Sequence, residues 1–276
     1  MIDAKPRDTI TQFPNGWLPW RIGPVRALLL ATAILLLIFL IFPGLDRWFS
    51  RQFYVEGSGF PAAEIPALIW LRGVAELTLW AAVIVMVGTI IIKLVRPDRP
   101  TPIPPTKIVF LFSTLALGPG LLVNVILKNN WGRPRPIAVE TFGGDLPFVG
   151  IWPISGHCDS NCSFVSGEAS SAIWLLAFAV LVPLAWRNRV VIIALVLAFM
   201  FSLNRIAFGG HFLSDVVLSW TLTLLIIAIV YHFLFVRPIP ALGSDRLEAT
   251  LTRFGQSIHG RLGVHRRKSV DDPDRD

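Results

Sequence analysis

Two polar segments of the sequence carry residue types that can bind and attack a phosphate group. The first reads Lys128-Asn-Asn-Trp-Gly-Arg133-Pro-Arg135-Pro136 and places three cations directly after an apolar run. Guanidinium groups match phosphate oxygens and a lysine acts as a point charge, so the segment is a candidate anion clamp. Taken alone, it also fits long cationic side chains that merely extend from an apolar segment to a polar surface.

The second segment runs Asn204-Arg205-Ile-Ala-Phe-Gly209-Gly210-His211-Phe-Leu-Ser-Asp215. His211 and Asp215 are four residues apart, and on a helical start they would share one face, with the carboxylate within reach of the imidazole. Such a contact fixes the tautomer and leaves the other ring nitrogen free to attack. Arg205 adds a cation for the same anion. A lone histidine is more often structural, but this combination favours a nucleophilic site.

A third polar stretch, Ser163-Phe-Val-Ser166-Gly167-Glu168, comes just before another apolar run. Ser166 and Gly167 would then open a helix, where a hydroxyl and free backbone N–H groups can bind phosphate. The same residues can serve only as a helix cap, and the two roles are compatible.

The elements that must position these residues are strongly apolar. Of the 276 residues, 54% are hydrophobic and 16% charged, and the mean hydropathy is +0.63, which excludes an ordinary soluble domain. Six runs approach the roughly 20 apolar residues that a membrane span needs. They are Pro24–Phe42, Pro66–Val95, Ile108–Leu127, Ala169–Trp186, Val190–Phe208 and Val216–Val236.

These runs show no inside/outside alternation, so we predict helices rather than a barrel. The expected fold is an all-α integral membrane protein with six transmembrane helices in one domain, residues 24–236. Its active site would lie at the outer ends of helices 3 to 6. Within the second span, Arg72 and Glu76 predict an i,i+4 ion pair, and Gly118-Pro119-Gly120 predicts a kink in the third.

The basic residues predict the orientation of the bundle. The net charge of +7 would suggest a nucleic-acid partner in a soluble chain, but 18 of the 25 Lys and Arg fall on one side of the predicted spans. That side should be cytoplasmic. We therefore expect a cytoplasmic arm over residues 1–23, a flexible basic cytoplasmic tail over 237–276 that contacts anionic lipid rather than nucleic acid, and an outward loop over 128–168.

The outward loop holds the only two cysteines of the chain, Cys158 and Cys162. In an oxidising compartment they can form a small disulfide. Free thiols remain an alternative, and a metal site is a third, although the spacing fits no common zinc pattern.

Lys128, six residues, then Arg135-Pro136, together with Arg205, five residues, His211, three residues and Asp215, resemble the first and third motifs of the type-2 phosphatidic acid phosphatase superfamily. The resemblance covers about residues 66–236. It implies a phosphohistidine intermediate on His211, no metal or other cofactor, and substrates that are lipid phosphates or diphosphates. The extended loop is similar to bacterial lipid A phosphatase-like branches. Lipid A, undecaprenyl diphosphate and phosphatidylglycerol phosphate at the periplasmic face of the inner membrane are the candidate substrates, of which the first is preferred, and no oligomeric state is predicted.

The second motif of the family departs from its pattern. Ser166-Gly167 match it by position, but Glu168 replaces the histidine that in the family protonates the leaving oxygen. Cations around Glu168 would favour its ionised form. A partial match upstream, Pro153-Ile-Ser155-Gly156-His157, offers His157 as an alternative acid, and a diphosphate could leave without one. The departure also keeps two other functions open: lipid-to-lipid phosphate transfer and non-catalytic lipid-phosphate binding or transport.

Overall fold

The computed structural model describes residues 23–261, and these form a bundle of helices. No β-strand occurs within this range, where two isolated bridges are the only β pairing. The helices are α1 (Gly23–Ile41), α2 (Gly44–Arg51), α3 (Pro66–Val95), α4 (Pro105–Asn130), α5 (Gly167–Val180), α6 (Leu184–Ala207), α7 (Leu213–Val236) and α8 (Ser244–Arg261). The predicted all-α class is confirmed.

Within residues 23–261, five helices are long and apolar enough to cross a membrane, namely α1, α3, α4, α6 and α7. Their outward faces expose large apolar side chains, such as Trp70 at 71% and Leu77 at 68%. In water such surfaces would be costly, whereas lipid tails solvate them. The protein is therefore a multi-pass integral membrane protein.

The fourth apolar run is shorter than expected. We predicted Ala169–Trp186, but α5 has eight α-helical residues followed by six in a 3-10 helix ending at Val180. These rise roughly 24 Å, less than a hydrocarbon core of about 30 Å. Pro183 caps the next helix, so α6 begins at Leu184 rather than at Val190. The count of six full spans stays a prediction.

The bundle core lies between the spans. Trp174 of α5 is fully buried against Phe110 of α4 and Tyr231 of α7, and its indole N–H donates to Thr114 Oγ1 at 2.9 Å. The break predicted around Pro119 appears as π-helical turns over Ala116–Leu127, because proline lacks an N–H for the regular ladder. These contacts fix how α4, α5 and α7 face one another.

One prediction about the tail is wrong within the described range. Residues 244–261 are not a flexible segment but α8, which packs on the end of α3. Lys93, 3% exposed, pairs with Glu248 at 2.5 Å and donates to two main-chain carbonyls. Burial alone would raise the pKa of Glu248, but hydrogen bonds from Lys93 and Thr101 lower it. The arm over residues 1–22 and the tail beyond 261 lie outside the described residues.

Candidate active site

The site forms where α4 and α6 end and α5 and α7 begin, under the loop of residues 131–166. His211 lies in the connection between α6 and α7 and is 1% exposed. Its Nδ1 is 2.8 Å from the main-chain carbonyl oxygen of Ser163. A carbonyl only accepts, so Nδ1 carries the proton and Nε2 keeps a free lone pair. This is the tautomer that a histidine nucleophile requires.

Asp215 does not hold His211 directly, and the predicted contact is corrected here. Its Oδ2 lies 3.9 Å from Nδ1, beyond hydrogen-bonding distance. The reason is that α7 begins at Leu213, after an extended Phe212, so His211 is not on the helix and the four-residue spacing does not align the pair. Oδ2 of Asp215 instead accepts from the Ser163 hydroxyl at 2.5 Å and from the Phe212 N–H at 2.8 Å.

Three predicted phosphate ligands act electrostatically on the imidazole. Positive charge on Arg205, Arg135 and Lys128 acts on His211, and together with burial, the largest cause, it holds the pKa of His211 well below its usual value. The ring is therefore neutral and nucleophilic near neutral pH. The backbone at Gly210 lies so close to Arg205 that a Cβ there would be 2.7 Å from its Nη2, so a larger residue at this position would displace that guanidinium.

Arg135 reaches the site from the loop. Its Nη2 and Nε donate to the carbonyl oxygen of Asn161 at 2.8 and 3.1 Å. Asn161 lies between the two cysteines, and the structure joins Cys158 to Cys162 in a disulfide. The small disulfide loop thus supplies a contact that orients one cation.

Ser166 and Gly167 open α5 as the sequence predicts. Ser166 is the N-cap, and its hydroxyl oxygen accepts from the Ala169 N–H at 3.2 Å, while its own N–H donates to the Asp215 carbonyl at 3.1 Å. The hydroxyl proton remains available for an anion. Gly167 packs against α4, where a Cβ would lie 2.5 Å from Oδ1 of Asn124.

Glu168 lies among the cations. Its Oε1 is 3.2 Å from Nε of Arg205 and 3.3 Å from Nη2 of Arg72. Arg72 also makes the predicted pair with Glu76, at 3.6 Å. For Arg72 the sequence favoured a structural ion pair over a substrate contact, and the i,i+4 spacing gave no signal of its approach to Glu168.

A cavity of about 190 Å³ opens between α3 and α5 beside this cluster. Lys128 and Glu168 line its polar part, and Leu79, Leu175 and Phe201 line its apolar part. This division of polar and apolar walls suits a molecule with a charged head and a hydrocarbon body.

His157 lies elsewhere. It is exposed and lines a separate groove of about 640 Å³ with Phe39, Arg47 and Trp152. This groove shares no lining residue with the cavity beside Glu168. The structure therefore brings Lys128, Arg135, Ser166, Gly167, Glu168, Arg205, His211 and Asp215 to one end of the bundle, with His157 in its own groove.

Comparison with known proteins places the chain in a family. Residues 107–239 match the model of the PAP2 superfamily. A lipid A 4'-phosphatase of Rhizobium leguminosarum is 38% identical over 209 residues, covering 69% of this chain and 88% of the relative. The chain belongs to the PAP2 superfamily. A lipid A 4'-phosphatase of Francisella tularensis subsp. novicida is 36% identical, covering 72% and 90%. No solved structure matches the chain.

Membership makes the chain a membrane lipid phosphatase, a phosphoric ester hydrolase. In this PAP2 enzyme, however, one cation of the first motif does not face the phosphate site. Arg133 is 0% exposed, and its Nη1 and Nη2 bind Asp215 at 2.6 Å and Asp46 at 2.7 Å. Burial alone would lower the pKa of Arg133, but the two carboxylates raise it. The expectation that all three cations form the clamp is wrong for Arg133, because its charge is already paired.

Proposed function

We propose that this enzyme removes a phosphate monoester from lipid A at the periplasmic face of the inner membrane, through a phosphohistidine on His211. The observation that carries the proposal is the buried, neutral His211, with Nδ1–H bound to the Ser163 carbonyl and three cations acting on it. The substrate follows from the relatives, which are lipid A 4'-phosphatases. The side follows from the distribution of basic residues.

The reaction has two steps. Nε2 of His211 attacks phosphorus while the bond from phosphorus to the lipid oxygen breaks, and that oxygen takes a proton. Water then attacks the phosphohistidine and the bond from phosphorus to Nε2 breaks, which releases inorganic phosphate and the neutral imidazole, while a proton of the water returns to the acid. Lys128, Arg135 and Arg205 hold the phosphoryl oxygens, with Ser166 and the N–H groups at the start of α5. Catalysis of this kind rests on positioning and charge.

We assign the proton donor in the first step to Glu168 on position. In its ion pairs with Arg205 and Arg72 this side chain is a carboxylate, so it must take up a proton before it can act as the acid. Its carboxylate shares the cation cluster with Arg205, whereas His157 lines a different groove. A sugar alkoxide is a poor leaving group, so an acid should matter for a monoester. The apolar part of the cavity between α3 and α5 would accept the hydrocarbon of the lipid from the membrane.

The test is phosphate release by the purified enzyme from lipid A, with undecaprenyl diphosphate in parallel. His211→Ala should reduce release on the order of 1,000-fold or more, since it removes the nucleophile. His259→Ala, on α8, is the matched control and should retain activity. Phosphate that appears on a second lipid instead of in solution would identify a transferase. If the wild-type enzyme releases no more phosphate than His211→Ala from either lipid, the protein is a non-catalytic binding protein.

A further inference from the structure

A buried network of four polar side chains underlies the candidate nucleophile. Asp46, Arg133, Ser214 and Asp215 are all 1% exposed or less. Arg133 Nη1 donates to Oδ1 of Asp215 at 2.6 Å and to the Ser214 hydroxyl at 2.8 Å. Its Nη2 donates to Oδ2 of Asp46 at 2.7 Å. The guanidinium thus bridges two carboxylates that come from different helices.

Asp46 enters this network from α2, which precedes the segment matched by the family model. Its Oδ1 accepts from the Ser214 N–H at 2.8 Å and its Oδ2 from the Ser214 hydroxyl at 2.6 Å. Ser214 is in the first turn of α7, where backbone N–H groups have no partner within the helix. Asp46 therefore fixes the start of the helix that also carries Asp215.

The network continues to His211 through Ser163. Asp215 Oδ2 accepts from the Ser163 hydroxyl, and the Ser163 N–H donates to the Arg133 carbonyl at 2.8 Å. Ser163 is thereby held by its side chain and its backbone, and its carbonyl accepts from Nδ1 of His211. A displacement of Arg133 or Asp46 would move the carbonyl that orients the imidazole.

The network also places negative charge on one side of His211. Two carboxylates and one guanidinium leave one net negative charge on the Nδ1 side of His211, while Lys128, Arg135 and Arg205 are the cations that act on the ring. When Nε2 bonds to phosphorus, the ring becomes positively charged. A negative group behind Nδ1 stabilises that state. Burying three ions is a poor way to gain stability alone, which favours a functional reason.

We propose that Asp46 and Arg133 are positioning residues for the nucleophile. They fix Asp215 and Ser163, and they place net negative charge behind Nδ1 of His211. The inference rests on the proposed function, because it concerns attack by Nε2. It gives α2 a part in the active site, although α2 lies outside the segment that matches the family model.

The test is the steady-state kinetics of Asp46→Asn, which removes the charge and keeps the size. We expect kcat for phosphate release from lipid A to fall on the order of 100-fold, as for a misplaced catalytic group, while KM stays nearly unchanged because the phosphate ligands are intact. Arg133→Lys should show the same pattern, since one ammonium cannot bridge both carboxylates as the planar fork does.

A second readout separates positioning from folding. Histidine NMR should show a lower pKa for His211 in Asp46→Asn than in the wild type, because one negative charge near the ring is lost. The matched control is Glu248→Gln, which breaks the ion pair between the half-buried Glu248 and the buried Lys93. Lys93 lies 21 positions along α3 from Arg72, roughly 30 Å away at the helical rise, so this variant should lose stability and keep kcat.

The outcomes distinguish the two proposals. If His211→Ala retains activity, the proposed mechanism fails, whatever the behaviour of Asp46. If His211→Ala is inactive but Asp46→Asn keeps wild-type kcat and the same His211 pKa, only the positioning role is overturned. Should Asp46→Asn fail to fold, Ser214→Ala keeps every charge of the network and removes one bridge. A fall in kcat at constant KM then supports the proposal, and an unchanged kcat overturns it.

Discussion

The imidazole of His211 donates from Nδ1 to the main-chain carbonyl of Ser163 over 2.8 Å, although the sequence pattern pairs it with the carboxylate of Asp215. The hydroxyl of Ser163 donates to Asp215 and its N–H donates to the Arg133 carbonyl, so the acceptor is held in place. A neutral acceptor does not hold a proton on the ring as strongly as a carboxylate would. The surrounding cations and burial therefore dominate the titration of this histidine.

The first prediction concerns that titration. Because burial and the cations lower the pKa of His211, the ring should stay neutral as the pH falls through about 6.5, the ordinary histidine value. Protonation, and with it loss of the nucleophile, should occur only at lower pH. NMR of histidine-labelled enzyme measures this directly, with the signal assigned by its absence in His211→Gln. Half-protonation at or above pH 6.5 would contradict the structure.

The second prediction concerns the acid. Glu168→Gln should slow hydrolysis of a lipid phosphomonoester by roughly 100-fold or more. Hydrolysis of a lipid diphosphate should slow much less, because its leaving group is a phosphate, which departs readily without a proton. His157→Ala should be mild on both substrates. The ratio of the two rates is the measurement, since lost ion pairs with Arg72 and Arg205 would slow both substrates alike. If His157→Ala rather than Glu168→Gln slows the monoester selectively, His157 is the acid. If neither variant distinguishes the two substrates, neither residue is the acid.

The third prediction concerns the disulfide. Replacing both Cys158 and Cys162 by serine should loosen the turn at Asn161, whose carbonyl orients Arg135. Loss of one hydrogen bond of about 1 kcal/mol corresponds to roughly a fivefold rise in KM, with kcat less affected. A reductant should have the same effect on the wild type and none on the double variant. An unchanged KM in both experiments would show that the disulfide does not position Arg135.

The fourth prediction concerns topology. A periplasmic reporter fused after Val236 should be inactive, and a cytoplasmic reporter at the same point active, because basic residues cluster on that side of the spans. The same periplasmic reporter inserted at Gly143 should be active and serves as the control. If the periplasmic reporter after Val236 is active, the predicted orientation is wrong and the site faces the cytoplasm.

Much of this protein was determined by the sequence itself. Apolar runs long enough to cross a membrane require helices, since no other open structure satisfies its backbone in lipid. The bounds Pro66–Val95 of α3 agree with the prediction residue for residue. Side-chain chemistry likewise selected His211 and the cations Lys128, Arg135 and Arg205, because few residue types can attack or bind a phosphate.

The spacing of residues along the chain predicted side-chain contacts less reliably where a helix begins or ends between them. Four residues separate a contacting pair only if both lie on one helix, and the start of α7 at Leu213 removes His211 from that register. The short α5 has the same origin, because the hydrophobic run continues past Val180 while the backbone turns before Pro183. Composition gives a span, but local backbone geometry decides where it ends.

Only the tertiary structure decided which charges face the substrate and which support it. Arg133 and Arg135 are alike in the sequence, yet packing buries Arg133 between two carboxylates and leaves Arg135 at the site. Asp46 meets Ser214 across 168 residues, and no periodicity reports a contact at that separation. Such pairs depend on how helices pack and on which buried charges must neutralise each other, and these are properties of the assembled bundle.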